Sequence, residues 1–428
     1  MAPKLRRTAV ALVAALVTVA CGGTGEVADG DAVRFLVFGD PEELRGYRDA
    51  IAAFHEREPE VRVQLVEASD RDDLIARLST SIAGGSPPDL FLINYRFFGQ
   101  FAAKDALAPA GPRLDASGSL DEEDFYEEPM EAFRWENELM CLPQNVSSLV
   151  VYFNRDMFEA GGVPLPEPGW TWEEFVDAAA ALTVDDNGDG TAEVHGVGIE
   201  PSIIRVAPFV WSNGGDLVDD EERPTRLALD SPEAKEALQR LFDLGRIGVM
   251  PSEEEREAED EETRFLNGRL GMVLSSRRST PNFRSITAFE WDVAPLPVMG
   301  EPAGILHSDA YCMTAASGRK DDAWRFVEFA LGAEGQRIVA ASGRTVPSLR
   351  EVAESEAFLD PSVPPASSRV FLDTIPYIRR VPNISTWPEI EDAAEGIIEL
   401  GLLEGHSVDR VVSQLIEVTR PMFARAER

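Results

Sequence analysis

One polar run in this sequence has the residue types and spacing to bind a metal ion. Asp185, Asn187 and Asp189 stand at alternate positions before Gly190, which is the opening spacing of a calcium loop. The twelfth position of such a loop needs a bidentate glutamate, and here it is Gly196. The run therefore favours a surface turn, with calcium binding as the alternative.

Two further polar runs adjoin predicted strands and suit a ligand rich in hydroxyl groups. Asp40 and Glu42 directly follow a short apolar strand, and His307 and Asp309 precede another. Carboxylates accept hydrogen bonds from hydroxyls, so such side chains at strand ends can contact a polar ligand. Asp40 has a second interpretation, because an aspartate there also caps the next helix. Trp211 is either a core residue or a flat surface on which a ligand ring stacks.

Signatures of common hydrolases are absent from the sequence. There is no G-x-S-x-G, no H-E-x-x-H and no phosphate-binding P-loop, and the chain has only four histidines. A binding module needs no nucleophile, so the sequence predicts a binding protein with no cofactor and no enzymatic activity. Carboxylates are abundant, which leaves a secreted enzyme acting on polysaccharide as the alternative, or a tethered sensor or adhesin.

The N-terminus has the features of an export signal. Residues 1–20 combine Lys4, Arg6 and Arg7 with an apolar stretch too short for an ordinary membrane span. Small residues then precede Cys21, as in a bacterial lipobox, where the cysteine is acylated after cleavage. We therefore predict a lipoprotein signal peptide over 1–20, lipidation at Cys21 and a tether over 21–32. The protein would be held extracytoplasmically at the cell membrane.

The charge of the chain limits its partners. Lys and Arg total 40 against 76 Asp and Glu, a net charge of −36, which disfavours nucleic acid and anionic lipid headgroups. With Cys21 lipidated, Cys141 and Cys312 remain, and the sequence favours two separate buried thiols over a disulfide. Residues 253–262 hold eight acids in ten positions, which predicts a solvated helix face or loop.

These side chains must be positioned by alternating helices and strands. Short apolar runs over 33–38 and 89–93 and alternating apolar residues over 61–65 predict strands, and helical spacing between them predicts helices. Such alternation is typical of a parallel sheet covered on both faces. A second α/β region follows Pro143, with Thr171-Trp172-Glu173-Glu174 as a capping box and Ser231-Pro232 as a helix start. The fold class is therefore α/β, and the chain is long enough to form two domains.

Several longer motifs, in register from about residue 33 to 425, resemble the extracellular solute-binding protein family 1, the maltose-binding-like branch of ABC import receptors. They are RLSTSIAGGSPPDLFLI (77–93), DALAP (105–109), LPQNVSSLVVYFNRDMFEAGG (142–162), TWEEFVDAAAALT (171–183), WSNGGDLV (211–218), RFLNGRLGMV (264–273), WDVAPLP (291–297) and AWRFVEFALGAEGQ (323–336).

The resemblance implies a two-lobe, periplasmic-binding-protein-like type II fold with a hinge between the lobes. One lobe would take residues 31–145 and 293–345, and the other 146–292 and 346–428. The ligand would lie between the lobes, at the carboxyl ends of strands. The implied partners are a small carbohydrate ligand and the membrane permease subunits that receive it, with the receptor itself a monomer.

The resemblance also implies site residues at the strand ends. Trp387 matches the position of the main stacking tryptophan, and Arg278 stands near another such position. Arginine can stack on a ring or clamp a carboxylate. The full set of residues carried over is Asn94, Tyr95, Arg96, Asn145, Ser147, Arg277, Arg278 and Trp387. We expect a neutral sugar, with an anionic sugar derivative as the alternative.

Overall fold

The structure is a computed structural model that describes residues 31–188 and 190–427. Its strands are β1 Val33–Val37, β2 Val63–Glu67, β3 Leu90–Asn94, β4 Leu107–Ala108, β5 Arg134–Trp135, β6 Glu138–Leu139, β7 Leu142–Pro143, β8 Val150–Asn154, β9 His195–Gly198, β10 Leu270–Ser275, β11 Trp291–Ala294, β12 Gly304–Ile305, β13 Asp309–Thr314 and β14 Ile378–Arg379.

The helices in the first half of the described chain are α1 Pro41–Arg57, α2 Arg71–Ala83, α3 Tyr95–Ala102, α4 Gly111–Leu114, α5 Glu127–Ala132, α6 Arg155–Gly161, α7 Trp172–Leu182 and α8 Ile203–Ser212. Those in the second half are α9 Pro232–Arg246, α10 Glu253–Ala258, α11 Glu261–Leu266, α12 Thr280–Phe283, α13 Lys320–Leu331, α14 Ala333–Ala340, α15 Arg350–Ala353, α16 Glu356–Leu359, α17 Arg369–Asp373, α18 Trp387–Leu402 and α19 Val408–Ala424.

The first sheet has the strand order β2-β1-β3-β13-β4, and β7 also pairs with β13. The strands β1, β2 and β3 are parallel, as the alternation of helices and strands predicted. The strand β13 pairs antiparallel with β3, β4 and β7. The sheet is therefore mixed rather than parallel, because β13 enters it from a segment far along the chain.

A second sheet, with the order β11-β8-β10-β9, is formed by the middle of the chain. Its strand β10 is parallel to β9 and antiparallel to β8. The helix α7 packs on β9 and β10, and α11 packs on β10. Two sheets with their own helices agree with the predicted two-lobe α/β fold, while the exact lobe boundaries stay a prediction.

Capping residues explain where the main helices begin. Thr171 and Glu174 form both hydrogen bonds of the predicted capping box at the start of α7. Ser231 caps α9, with Pro232 at its first turn. Asp40 caps α1 by accepting a hydrogen bond from the Glu43 N–H at 2.9 Å, so its helix-capping interpretation is confirmed.

The chain passes between the two sheets through segments that are bonded to each other. Ser147, between β7 and β8, exchanges two backbone hydrogen bonds with His307, between β12 and β13, at 3.0 and 2.8 Å. Both residues therefore lie at the connection between the sheets. Among the residues from 31 to 427 that are described, no helix is both long and apolar enough to cross a membrane.

Cys141 and Cys312 form a disulfide, so the prediction of two separate thiols was wrong. The strands explain the pairing, because β7 lies beside β13 with Leu142 opposite Tyr311. That register brings together two cysteines separated by 171 positions in the chain. Nothing in the local sequence around either cysteine indicates this antiparallel contact.

The acidic run 253–262 forms α10 and the start of α11, and it is largely the solvated helix face that its composition predicted. Glu261 is the exception, because it is buried. Glu255 and Glu259 pair with Arg264 and Arg269. Basic partners from the following residues therefore neutralise part of the run, which composition alone does not show.

Candidate ligand-binding site

The segments connecting the sheets bring four predicted site residues together. The Asn145 side-chain carbonyl accepts a hydrogen bond from the Asp309 N–H at 2.8 Å, and the Ser308 hydroxyl donates to the Asn145 backbone carbonyl at 2.7 Å. Ser147 and His307 form the neighbouring backbone pair. The backbone thus fixes Asn145, Ser147, His307 and Asp309 in one place between the two sheets.

The end of β3 adds Asn94 and Arg96 to this place. Asn94 lies opposite Asp309 in the ladder and caps α3. Its side-chain oxygen accepts a hydrogen bond from Arg96 Nε at 3.1 Å. Arg96 Nη1 in turn donates to Glu391 Oε2 of α18 at 2.5 Å. This ion pair joins α3, which follows β3 of the first sheet, to α18, which packs on α8 and α9.

Two more arginines reach the site from the side of the second sheet. Arg205 of α8 is only 4% exposed, and its Nη2 lies 2.8 Å from Glu200 Oε2 in an ion pair. Its Nε and Nη1 are buried without a hydrogen-bond partner. A buried donor left unpaired typically costs about 1–3 kcal/mol. Arg278, after β10, pairs with Glu262 at 2.8 Å and is 53% exposed at its side chain.

These groups lie close enough for their charges to act on one another. Burial, followed by the charges of Arg205, Arg96 and Arg278, lowers the pKa of His307 well below its ordinary value. Arg205, and more weakly Arg278 and Arg96, hold the pKa of Glu200 below its usual range. We call Arg96, Arg205, Arg278 and His307 the basic cluster. His307 is neutral within it at pH 7, and its Nε2 has no hydrogen-bond partner.

A second arginine-centred group lies beside Asp309. Burial raises the pKa of the Asp309 carboxyl, against the opposing charge of Arg344. Arg344 also pairs with Glu43 and lies 3.9 Å from Asp40. Burial disfavours the charge on Arg344, but the Glu43 carboxylate outweighs it and raises the pKa of Arg344. Carboxylates therefore surround the Arg344 guanidinium on this side of the site.

Other predicted site residues lie outside the cluster. Glu42 pairs with Arg45 at 3.2 Å on the surface of α1. Tyr95 is buried, and its hydroxyl accepts a hydrogen bond from the Val381 N–H at 3.3 Å. Arg277 is also buried, and its Nε donates to the Gly343 carbonyl at 2.7 Å. The adjacent arginines 277 and 278 therefore point to different places, and only Arg278 joins the basic cluster.

The two tryptophans proposed as stacking surfaces are both buried. Trp387 is 0% exposed, its Nε1 donates to Glu391 at 2.6 Å, and its ring edge packs on Phe423. Trp211 lines a groove of about 1010 Å³ and is covered by the Arg379 guanidinium at 4.9 Å from the ring centroid. A stacking surface needs an open ring face, so both roles stay predictions.

The calcium-like run forms a hydrogen-bonded turn. The Asp185 carboxylate accepts from the N–H groups of Gly188 and Gly190 at 2.7 and 3.0 Å, and Asn187 bonds to Glu193. Over the ranges 31–188 and 190–427, no group of three or more His, Cys, Asp or Glu side chains is placed to hold a metal ion. Asp189 and the predicted lipidation site Cys21 lie outside the described residues.

Sequence reasoning missed several members of the site. Arg205 carries a readable signal, since it is the one charged residue in the apolar helix α8. Glu262 was hidden in the acidic run, and Glu391 in a helix with many acids. The residues overlooked are Glu43, Glu200, Arg205, Glu262, Arg344 and Glu391.

Solved structures with a similar fold cover nearly the whole chain. The ABC substrate-binding protein Lmo0181 from Listeria monocytogenes, solved with cycloalternan, has a TM-score of 0.83 at 23% identity and covers 91% of this chain and 98% of its own. UgpB from Mycobacterium tuberculosis, solved with glycerophosphocholine, has a TM-score of 0.79 at 20% identity, with 92% and 98% covered. At these identities the likeness shows the fold.

The family itself is shown by the sequence. The family model described as bacterial extracellular solute-binding protein matches residues 39–337. The chain belongs to this family. A binding protein of Brucella abortus (strain 2308) is 24% identical over 390 residues, covering 87% of this chain and 88% of that protein. The solute-binding protein described here is thus a receptor of the ABC-transporter class, and members of its family are extracellular.

Proposed function

We propose that this solute-binding protein captures a carbohydrate or a carbohydrate derivative between its two lobes and delivers it to a membrane permease. The observation that carries the proposal is the set of carboxylates and guanidinium groups where the two sheets meet. Asp309, Glu200 and Glu391 supply acceptors, and Arg96 and Arg205 supply donors. A hydroxyl group both donates and accepts, so a polyhydroxylated ligand fits such a surface.

Relatives of the same fold support this ligand class. The Listeria monocytogenes protein was solved with cycloalternan, and the Mycobacterium tuberculosis protein with glycerophosphocholine. Both ligands are polyols or polyol derivatives. The family consists of binding proteins, which favours a receptor over the alternative of a secreted enzyme.

A thermal-shift panel of sugars, sugar acids, sugar phosphates and polyols tests the proposal. A ligand at a hundred times its Kd stabilises the protein by about 2.7 kcal/mol, which raises the melting temperature. Calorimetry on the strongest hit should then show Asp309→Asn weakening binding by about 1.5–3 kcal/mol, since a hydrogen bond to a charged group is lost. Asp243→Asn is the matched control, because Asp243 pairs with Arg246 on the surface of α9 at 2.7 Å. Equal affinities of the two variants would contradict the proposed site.

We further propose that the receptor is anchored through a lipid on Cys21 and acts as a monomer. The support is the run of small residues before Cys21 and the extracellular character of the family. Cys21→Ser should release the protein from the membrane fraction or block its processing. Unchanged cleavage and membrane retention of that variant would refute the anchor and leave the proposed ligand class intact.

A further inference from the structure

Arg205 is a buried charge whose donors are only partly used. Its side chain leaves the apolar helix α8, its Nη2 is paired with Glu200, and its Nε and Nη1 are sealed from solvent with no acceptor. A folded protein rarely keeps two buried donors of one side chain without acceptors, so these two N–H groups need an explanation. An acceptor that arrives with the ligand, as the groups covering Arg205 move aside, provides one.

The surroundings of Arg205 are arranged for an acceptor with negative charge. Burial, and then the charges of Arg278 and Arg96, lower the pKa of Arg205, so both arginines lie near it. Each has one carboxylate partner, Glu262 for Arg278 and Glu391 for Arg96. His307, with an unpartnered Nε2, lies beside them. A guanidinium has five N–H groups, so a single carboxylate partner does not use all the hydrogen-bond donors of an arginine. Anionic oxygens are the acceptors that pair most strongly with such donors.

We propose that the basic cluster binds the anionic oxygen group, a carboxylate or a phosphate, of a polyhydroxylated ligand, and that Arg205 selects for that group. This inference rests on the proposed function and makes the ligand a sugar acid or a sugar or polyol phosphate. The carboxylates of Glu200, Glu262 and Glu391 remain to accept hydrogen bonds from the ligand's hydroxyls. The net charge of −36 opposes an anion only weakly, because exposed charges beyond about 8 Å are screened at physiological salt.

Matched pairs of ligands test the inference on the purified protein. Isothermal titration would compare D-glucose with D-glucuronate, D-galactose with D-galacturonate, D-glucose with D-glucose 6-phosphate, and glycerol with sn-glycerol 3-phosphate. We expect at least one anionic member to bind tenfold or more tightly than its neutral partner, a difference of about 1.4 kcal/mol. The uronate and phosphate pairs distinguish a carboxylate ligand from a phosphate ligand.

Variants then assign the effect to Arg205. Arg205→Gln should weaken binding of the preferred anion by about 10- to 100-fold, as expected when a charged donor is lost, and change its neutral partner less than threefold. Arg240→Gln is the matched control, since Arg240 of α9 pairs with Glu173 and Glu236 on the surface. It should change the affinity for neither the anion nor its neutral partner. Arg278→Gln, at an exposed position, should weaken the anion several-fold and serves if Arg205→Gln does not fold.

The outcomes separate this inference from the proposed function. Neutral members that bind as tightly as the anions, or a folded Arg205→Gln that keeps the anion preference, would overturn the inference and leave a neutral carbohydrate as the ligand. If Arg205→Gln does not fold, an unchanged anion preference in Arg278→Gln would overturn it. No binding by any member of the panel would overturn both the inference and the proposed ligand class.

Discussion

Replacing Arg96 and Glu391 by glutamine, singly and together, measures how strongly α3 is tied to α18. Their side chains are 9% and 12% exposed, and Arg96 Nη1 lies 2.5 Å from Glu391 Oε2. Each residue has a second partner, Asn94 for Arg96 and Trp387 for Glu391, which holds it in place. A double-mutant cycle over the four proteins isolates the energy of the pair from those other contacts.

The expected coupling follows from the burial of the pair. Two unit charges 4 Å apart attract by about 4 kcal/mol at an effective dielectric of 20. The cost of removing both charges from water takes back part of this attraction. Fully exposed pairs contribute only about 0–1 kcal/mol. For Arg96 and Glu391, at roughly one tenth exposure, we expect a coupling of about 1.5–3 kcal/mol.

Urea denaturation of the ligand-free proteins, at low and at 1 M salt, gives the four free energies of unfolding. Arg113 and Asp321 form the control cycle, since they also pair across a long stretch of chain, at 2.7 Å, but Asp321 is 92% exposed. That cycle should show a coupling below about 1 kcal/mol that salt removes. Single-mutant effects for Arg96 and Glu391 that add to within about 0.5 kcal/mol would refute the reasoning.

Three further predictions concern stability. The double variant Cys141→Ala/Cys312→Ala should lose about 5 kcal/mol in denaturant titrations, because the disulfide closes a loop of 171 residues in the unfolded chain; a midpoint equal to that of the oxidised parent would contradict this. Trp387→Ala should cost the ligand-free protein about 3–5 kcal/mol, because the ring is fully buried; unchanged melting combined with weaker ligand binding would instead support the stacking role. Burial and three arginines lower the pKa of His307 in the folded protein. Its contribution to the free energy of unfolding is therefore complete above the unfolded pKa of about 6.5. That contribution is lost as the pH falls below this value, by at most about 1.4 kcal/mol per pH unit. Unfolding free energies of His307→Asn should therefore fall less between pH 6.5 and 5 than those of the parent, and parallel pH profiles would contradict the assignment.

Local sequence patterns were sufficient for several elements and for part of the backbone of the candidate site. Apolar runs and helical spacing predicted β1 to β3 and the helices between them, and the capping box predicted the start of α7. The positions of His307 and Asp309 beside a strand were also predictable, because a strand end is a local feature, whereas Asn145 and Ser147 came from the family resemblance. The family resemblance supplied the two-lobe fold, which a single local pattern cannot.

Side-chain direction and long-range pairing were not predictable in the same way. Arg277 and Arg278 are neighbours of one type, yet one is buried against the Gly343 carbonyl and the other pairs with Glu262. The disulfide and the ion pair of Arg96 with Glu391 depend on contacts across more than 150 positions. Burial of Trp387 likewise depends on Phe423, a residue of another helix.

The placement of β13 in the middle of the first sheet sets an order of events during synthesis. Every strand of the second sheet lies between residues 150 and 294, whereas the first sheet lacks β13 until residue 314 has been made. The strands of the second sheet can therefore be complete before those of the first. The proposed ligand site, which includes both Asp309 and Glu391, is among the last parts to assemble, so a chain interrupted before α18 would have every strand of both sheets and an incomplete site.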